Sequence, residues 1–115
     1  MSKNAEIKFT VELDQNNIPD KISWQATDAD FEGDKSCDSI FISIWDKEKK
    51  NSLSIDLWTK KMEIGEMDAH FYFTFIKMAE TYYKSTNNKE ISDMIVKFAQ
   101  DFAKKVEDKA LSDQQ

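Results

Sequence analysis

Arginine is absent from this sequence of 115 residues, and all sixteen basic side chains belong to lysine. Because lysine lacks the planar fork with which arginine grips phosphate, this absence counts against recognition of nucleotides and nucleic acids. Glycine occurs twice and proline, cysteine and histidine once each, while 40% of the residues are hydrophobic and 33% are charged. This composition is not that of a disordered chain and predicts a folded protein.

The single cysteine and the lack of a long apolar run indicate the compartment. Cys37 has no second cysteine with which to form an internal disulfide, as is usual for proteins of a reducing compartment. Residues 1–10 contain no apolar signal region, and no window approaches the roughly 18 apolar residues of a membrane span. We therefore expect a cytoplasmic protein with no membrane insertion.

The net charge of −6 is concentrated in one segment of the chain. Residues 12–38 contain eight acidic residues and two lysines, whereas the rest of the chain contains fourteen of each. An acidic surface repels the phosphate backbone of nucleic acids and anionic lipid head groups. We therefore expect no nucleic-acid partner.

Alternating apolar residues predict four strands in the first half of the chain. The pattern covers Ile7 to Leu13 and Ile18 to Ala26, which DQNN separates, and then Ile40 to Trp45 and Leu53 to Trp58, which DKEKKN separates. Short polar connections between strands of period two are typical of antiparallel hairpins.

The hydrophobic period changes after Thr59 and predicts two helices. The first extends from about Glu63 to Tyr83 and is apolar over roughly two-thirds of its circumference. Asn87 is expected to cap the second helix, with Glu90 in the capping-box position. Apolar residues then recur at spacings of three and four as far as Val106.

Together these patterns predict an α+β fold of order β-β-β-β-α-α. Its core is a four-stranded antiparallel meander sheet, and two C-terminal helices pack on one face of that sheet. The length favours a single domain over residues 1–115, ordered from about residue 5 to residue 110. Ser112 to Gln115 are expected to fray.

The stretch from Ile40 to Lys61 contains the candidate site. Because cross-strand neighbours share a face, the isoleucines of the first arm should meet a Leu-Ile-Leu row in the second and form core. Phe41, Trp45, Asp56 and Trp58 should gather on the other face, where large aromatic residues need an explanation. They predict a surface that binds a protein partner or a second copy, as in a homodimer. The alternative is that the acidic loop or the C-terminal tail covers them.

An acidic break between the second and third predicted strands offers another function, a small-ligand or calcium-binding module. The run D-A-D-F-E-G places Asp28, Asp30 and Glu32 at the first, third and fifth positions of a calcium loop, with Gly33 at the sixth. Ser39 occupies the twelfth position, where calcium loops have a bidentate glutamate. A solvated acidic loop over residues 28–38 is therefore favoured over a calcium site.

No catalytic, cofactor or metal motif stands out in the sequence. His70 could reach Glu66 one turn earlier on a helix, and Asp56 is the one carboxylate within an apolar run. Catalysis would require these groups, or Cys37, to come together with a defined partner, which spacing alone does not indicate. We expect no enzyme activity, no cofactor and no bound metal.

Three stretches resemble the gliding-motility protein family GldC of Bacteroidota. They are AEIKFTVELDQNNIPDKISW at residues 5–24, SIWDKEKKNSLSIDLWTKKM at residues 43–62 and EMDAHFYFTFIKMAETY at residues 66–82. The resemblance extends from Ala5 to Val106, and its most specific parts are WD at residues 45–46 and IDLWTK at residues 55–60. It implies a small cytoplasmic accessory protein that acts beside a multiprotein envelope motor, with no enzyme activity attributed to the family.

Overall fold

The fold is described from a computed structural model that covers residues 3–113. Five strands precede two helices: β1 Ile7–Leu13, β2 Pro19–Ala26, β3 Lys35–Cys37, β4 Ser39–Asp46, β5 Asn51–Trp58, α1 Ile64–Thr86 and α2 Lys89–Asp113. The α+β class, the four predicted strands and the two predicted helices are confirmed. The short strand β3 is additional and lies inside the acidic break.

The strands form two sheets, so the prediction of one four-stranded meander is wrong. One antiparallel sheet has the order β1-β2-β3, and the other consists of β4 and β5. β2 pairs with only three residues of β3, from Lys35 to Cys37. Immediately afterwards, at Asp38, the chain bends and its carbonyl accepts the N–H of Thr59 at 2.8 Å. Apolar alternation indicates where strands lie in the sequence, but it does not show which strands pair with each other or where one sheet ends and the next begins.

Asp14 organises the turn between β1 and β2. Its Oδ1 accepts hydrogen bonds from the N–H groups of Asn16 and Ile18, at 2.8 and 3.0 Å. Asn17 has a left-handed backbone, with φ of 62°, a conformation that asparagine tolerates better than most residues. Pro19 then opens β2 at the point where the register with β1 shifts, so its missing N–H interrupts no regular ladder.

The register of β4 and β5 confirms the predicted faces of this hairpin. The isoleucine row meets the Leu-Ile-Leu row residue by residue: Ile40 with Leu57, Ile42 with Ile55, and Ile44 with Leu53. The turn begins at Asp46, whose Oδ1 accepts the N–H groups of Glu48 and Lys49 at 2.9 and 3.2 Å. Lys50 closes the turn in a left-handed conformation, with φ of 54°.

The isoleucine and leucine face is buried at one end only. Ile40 is 9% exposed, but Ile44, Leu53 and Ile55 are each about half exposed. The prediction that this whole face is core is therefore wrong for the half nearest the turn. The Lys60 N–H donates to the Pro19 carbonyl at 3.4 Å and joins the open end of the hairpin to β2, whereas no described strand accompanies the turn end.

Helix α1 has a defined cap at each end. A capping box starts it, in which the carboxylate of Glu66 accepts the backbone N–H of Glu63 at 3.1 Å. Asn87 ends it in a left-handed conformation, with φ of 58°, and donates its N–H to the Tyr83 carbonyl at 2.8 Å. Asn87 is thus the C-terminal cap of α1.

Helix α2 is capped by Asn88, whose Oδ1 accepts the N–H of Ile91 at 3.2 Å. The prediction that Asn87 caps this helix, with Glu90 in the capping box, is wrong by one residue. Both asparagines suit either kind of cap, so composition does not separate them. α2 includes Ser112, where fraying is predicted, while Gln114 and Gln115 lie outside the described residues.

Small residues bring α1 and α2 close together. Ala79 and Ala99 are 1% and 0% exposed, and the hydroxyl of Ser92 donates to the Ala79 carbonyl at 2.8 Å. This hydrogen bond satisfies the buried hydroxyl at the helix contact. Neither of the two described helices combines the length and the apolar character that crossing a membrane requires.

The chain divides into two compact units. The strand unit ends at Met62 and the helix unit begins at Glu63. The single domain and the packing of both helices on one face of a sheet stay predictions.

Candidate functional site

The face of the β4–β5 hairpin opposite the isoleucine row holds the four predicted partner-binding residues. Phe41 lies directly opposite Asp56, and Trp58 lies opposite Ser39 at the open end. Trp45 lies beside the turn, opposite Ser52 at the other end of the ladder. The structure therefore places Phe41, Trp45, Asp56 and Trp58 on one face.

These residues do not form one continuous cluster. Trp45 is six ladder positions from the pair that contains Trp58, which at the rise of an antiparallel strand corresponds to about 20 Å. On the same face, the pair that follows Phe41–Asp56 towards the turn is Ser43 with Ser54. The face thus has an aromatic group at each end and small polar side chains between them. The shared face is as predicted, and the register spreads the aromatic side chains along the hairpin.

Both hairpin tryptophans remain accessible. Trp45 is 63% exposed and Trp58 is 54% exposed, while Phe41 is half-buried. The acidic loop leaves both indoles more than half exposed. An exposed tryptophan carries a large apolar area into water and is often found at the centre of a binding surface.

The acidic loop is fixed to β2 by an aromatic contact that sequence reasoning missed. The rings of Phe31 and Trp24 meet edge to face, with centroids 5.0 Å apart and planes at 84°. Lys35 places its ammonium group 5.3 Å from the Phe31 ring centre, which is within the range of a cation–π interaction. The one sequence feature that could have indicated this contact is Phe31, a single aromatic residue within a run of acidic residues.

The carboxylates of the acidic loop do not form a metal centre in this structure. Asp28, Asp30 and Glu32 are exposed to solvent. Over residues 3–113, no group of three or more acidic, histidine or cysteine side chains is arranged to hold a metal ion. No observation favours the calcium-binding alternative.

An ion pair joins the end of β5 to the turn between β1 and β2. The Lys60 ammonium lies 3.0 Å from the Asp14 carboxylate and 3.8 Å from that of Asp20. Hydrogen bonds from the Ile18 backbone and from Lys60 lower the pKa of Asp14, and the bond to Asp14 raises the pKa of Lys60. Sequence reasoning missed this contact because its partners are 46 positions apart.

The residues considered for catalysis have other roles or surroundings. Burial raises the pKa of the Cys37 thiol, and the neighbouring charge of Asp38 raises it further, so the thiol is protonated at neutral pH and weakly nucleophilic. The carboxylate of Glu66 belongs to the capping box with Glu63. His70 lines an open groove of about 550 Å³ along α1, with side chains of the same helix as its other walls.

Comparison with known proteins gives one family. The family model described as "Gliding motility-associated protein GldC-like" matches residues 19–108. This range includes β2 to β5, α1 and most of α2, and therefore the whole aromatic face. No curated protein and no solved structure matches the chain.

Proposed function

The chain belongs to the GldC-like family of gliding motility-associated proteins, and we propose that it is a non-enzymatic accessory protein of gliding motility that binds a protein partner. The binding surface is the aromatic face of the β4–β5 hairpin, formed by Phe41, Trp45, Asp56 and Trp58. The protein acts in the cytoplasm, beside the envelope machinery that drives movement.

The observation that carries this proposal is the exposure of two tryptophans on one sheet face. Trp45 and Trp58 are each more than half exposed at opposite ends of the hairpin. The solvent-facing side of an antiparallel sheet normally carries polar residues, and tryptophan is among the residues that contribute most to protein interfaces. The separation of about 20 Å suits an interface of standard size, which extends over some tens of residues.

The polar groups of the face supply specificity rather than area. Asp56 lies opposite Phe41, and the next pair on this face towards Trp45 is Ser43 with Ser54. A buried carboxylate requires a hydrogen-bond donor or a positive charge from the partner. A matching partner therefore presents apolar groups for both indoles and a lysine, an arginine or a backbone donor for Asp56.

The proposal is tested by cross-linking in living cells followed by mass spectrometry. Three forms replace the chromosomal copy in the source organism: wild type, the double variant Trp45→Ala with Trp58→Ala, and a control with Leu53→Ala and Ile55→Ala. The control alters exposed side chains on the opposite face of the same hairpin. We expect the tryptophan variant alone to lose its cross-linked partner and impair gliding.

Circular dichroism and thermal unfolding of the purified variants separate binding from folding. Because the substituted side chains are exposed, we expect both double variants to keep the wild-type spectrum. A folded tryptophan variant that keeps every wild-type partner and glides normally would contradict the proposal. If the control variant alone lost its partners, the binding surface would be the isoleucine face instead.

A further inference from the structure

One edge of β4 has none of the sequence features that usually protect an edge strand against pairing. Within the described residues β4 pairs with β5 on one side and with no strand on the other. Natural edge strands are protected by charged residues, proline, bulges or short length. β4 is eight residues long, keeps a continuous register with β5, and contains no proline and no charge from Ser39 to Trp45.

The remaining strands at sheet edges do carry such protection. β1 contains Lys8 and Glu12 and has a register shift at its end. β3 is only three residues long, and β5 contains Asp56 near its centre. The unprotected edge of β4 is therefore specific to this strand, as expected if it pairs with another strand in the functional protein.

We infer that two copies of this chain form a dimer in which their β4 strands pair antiparallel about a twofold axis. This geometry places Ile42 opposite Ile42 of the partner subunit. The inference rests on the strand edge, and it does not depend on the aromatic face binding another protein. The result is one four-stranded sheet of order β5-β4-β4-β5.

This register is self-complementary from Ser39 to Trp45. It places Ile40 opposite Ile44 of the partner subunit, so both isoleucine rows stay on one face. On the other face, Phe41 lies opposite Ser43 of the partner subunit. Asp38 and Asp46 lie opposite each other at both ends of the ladder. Each already accepts hydrogen bonds within its own chain.

Dimerisation also explains how a sheet of only two strands, β4 and β5, is stable. A two-stranded ribbon is barely stable in water, and a sheet with an apolar face normally needs three or more strands. Pairing through β4 supplies four strands. It also places the half-exposed Ile44 beside another isoleucine, in a row that crosses the interface.

Sedimentation equilibrium with charge-swapped variants tests the twofold register. We expect the wild type to be a dimer. Ile42→Lys and Ile42→Glu each place like charges opposite each other and should weaken association by about tenfold or more. An equimolar mixture should restore the dimer, because lysine then lies opposite glutamate. The matched control is Ile55→Lys, which changes the partner of Ile42 within the same hairpin and should remain dimeric.

Hydrogen exchange of the wild type tests the edge without any substitution. The outward amides of β4 should become protected as protein concentration rises through the dissociation constant of the dimer. A wild-type monomer, folded Ile42 variants that stay dimeric, or exchange in β4 that ignores concentration would each overturn the inference. Protection of β4 only when a different protein is bound would also overturn it. None of these results bears on the cross-linking test of the aromatic face.

Discussion

Thr59 is joined to Asp38 by two hydrogen bonds at the point where the two sheets divide. Its backbone N–H donates to the Asp38 carbonyl at 2.8 Å, and its hydroxyl donates to the Asp38 carboxylate at 3.2 Å. Thr59 is only 1% exposed, although Asp38 is exposed to solvent. The pair holds the end of β5 against the bend that separates β3 from β4.

Replacement of Thr59 by valine should lower the free energy of unfolding by about 1 kcal/mol. Valine keeps the shape of the side chain but removes the hydroxyl, so Asp38 loses one donor while the backbone bond remains. Urea unfolding followed by fluorescence measures the change. The control Thr10→Val alters an exposed threonine in β1 and should change stability by less than about 0.5 kcal/mol. Equal effects of both substitutions would contradict a specific role for the Thr59 hydroxyl.

The ion pair of Asp14 and Lys60 should make stability depend on pH at both extremes. The pKa of Asp14 is lowered from its ordinary value of 3.8. Its contribution to the stability of the fold is therefore complete above pH 3.8 and is lost as the pH falls through the folded-state pKa. The pKa of Lys60 is raised from 10.5, so its contribution is complete below pH 10.5 and is lost as the pH rises through the folded-state pKa.

Thermal unfolding of Asp14→Asn across pH measures this contribution. Asparagine keeps an oxygen that accepts the turn N–H groups but removes the charge that attracts Lys60. We expect a lower melting temperature than wild type at pH 7 and a difference that shrinks below pH 3.8. Asp20→Asn serves as the control, because its carboxylate lies farther from Lys60, at 3.8 Å, and its effect should be smaller. A difference for Asp14→Asn that does not change with pH would exclude the ion pair as its cause.

The two adjacent asparagines between the helices should respond oppositely to substitution. Asn88→Ala removes the side-chain acceptor for the Ile91 N–H and should cost about 1 kcal/mol. Asn87→Gly should be neutral or slightly stabilising, since glycine adopts the left-handed conformation without strain. Chemical denaturation of both variants checks this, and the reverse order of stability would restore Asn87 as the cap of α2.

The contact between α1 and α2 should not tolerate a larger side chain at Ala99. This residue is fully buried, so Ala99→Leu forces the helices apart and should cost roughly 1–3 kcal/mol. Ala110→Leu adds the same side chain at an exposed position of the same helix and should change stability by less than about 0.5 kcal/mol. The midpoint of urea unfolding distinguishes the two, and a stable Ala99→Leu variant would show that the helices do not pack at this residue.

The local sequence pattern was sufficient to predict the two faces of the β4–β5 hairpin, because side chains alternate between the faces of a strand. The alternation from Ile40 to Trp45 and from Leu53 to Trp58 predicts that the isoleucine row meets the Leu-Ile-Leu row, because a shift of one residue would exchange the faces. The members of the candidate site follow from the same rule. Their separation along the hairpin depends on which residues pair, and their exposure depends on what else packs nearby.

Very short strands and contacts between residues far apart in the sequence could not be predicted. β3 has three residues, which is too short for a period to appear. The contact of Lys60 with Asp14 spans 46 positions and leaves no local signal. The anchoring of the acidic loop depends on Phe31 meeting Trp24, although their spacing alone suggests only a loop.

The distribution of aromatic residues between the two units gives the protein two separate optical reporters. All three tryptophans, Trp24, Trp45 and Trp58, belong to the strand unit, whereas the helix unit holds both helices and no tryptophan. Indole fluorescence therefore monitors the strands, and far-ultraviolet dichroism is dominated by the helices. For a single cooperative domain the two signals change together during unfolding. We expect one shared transition, so that each half of the chain reports on the integrity of the other.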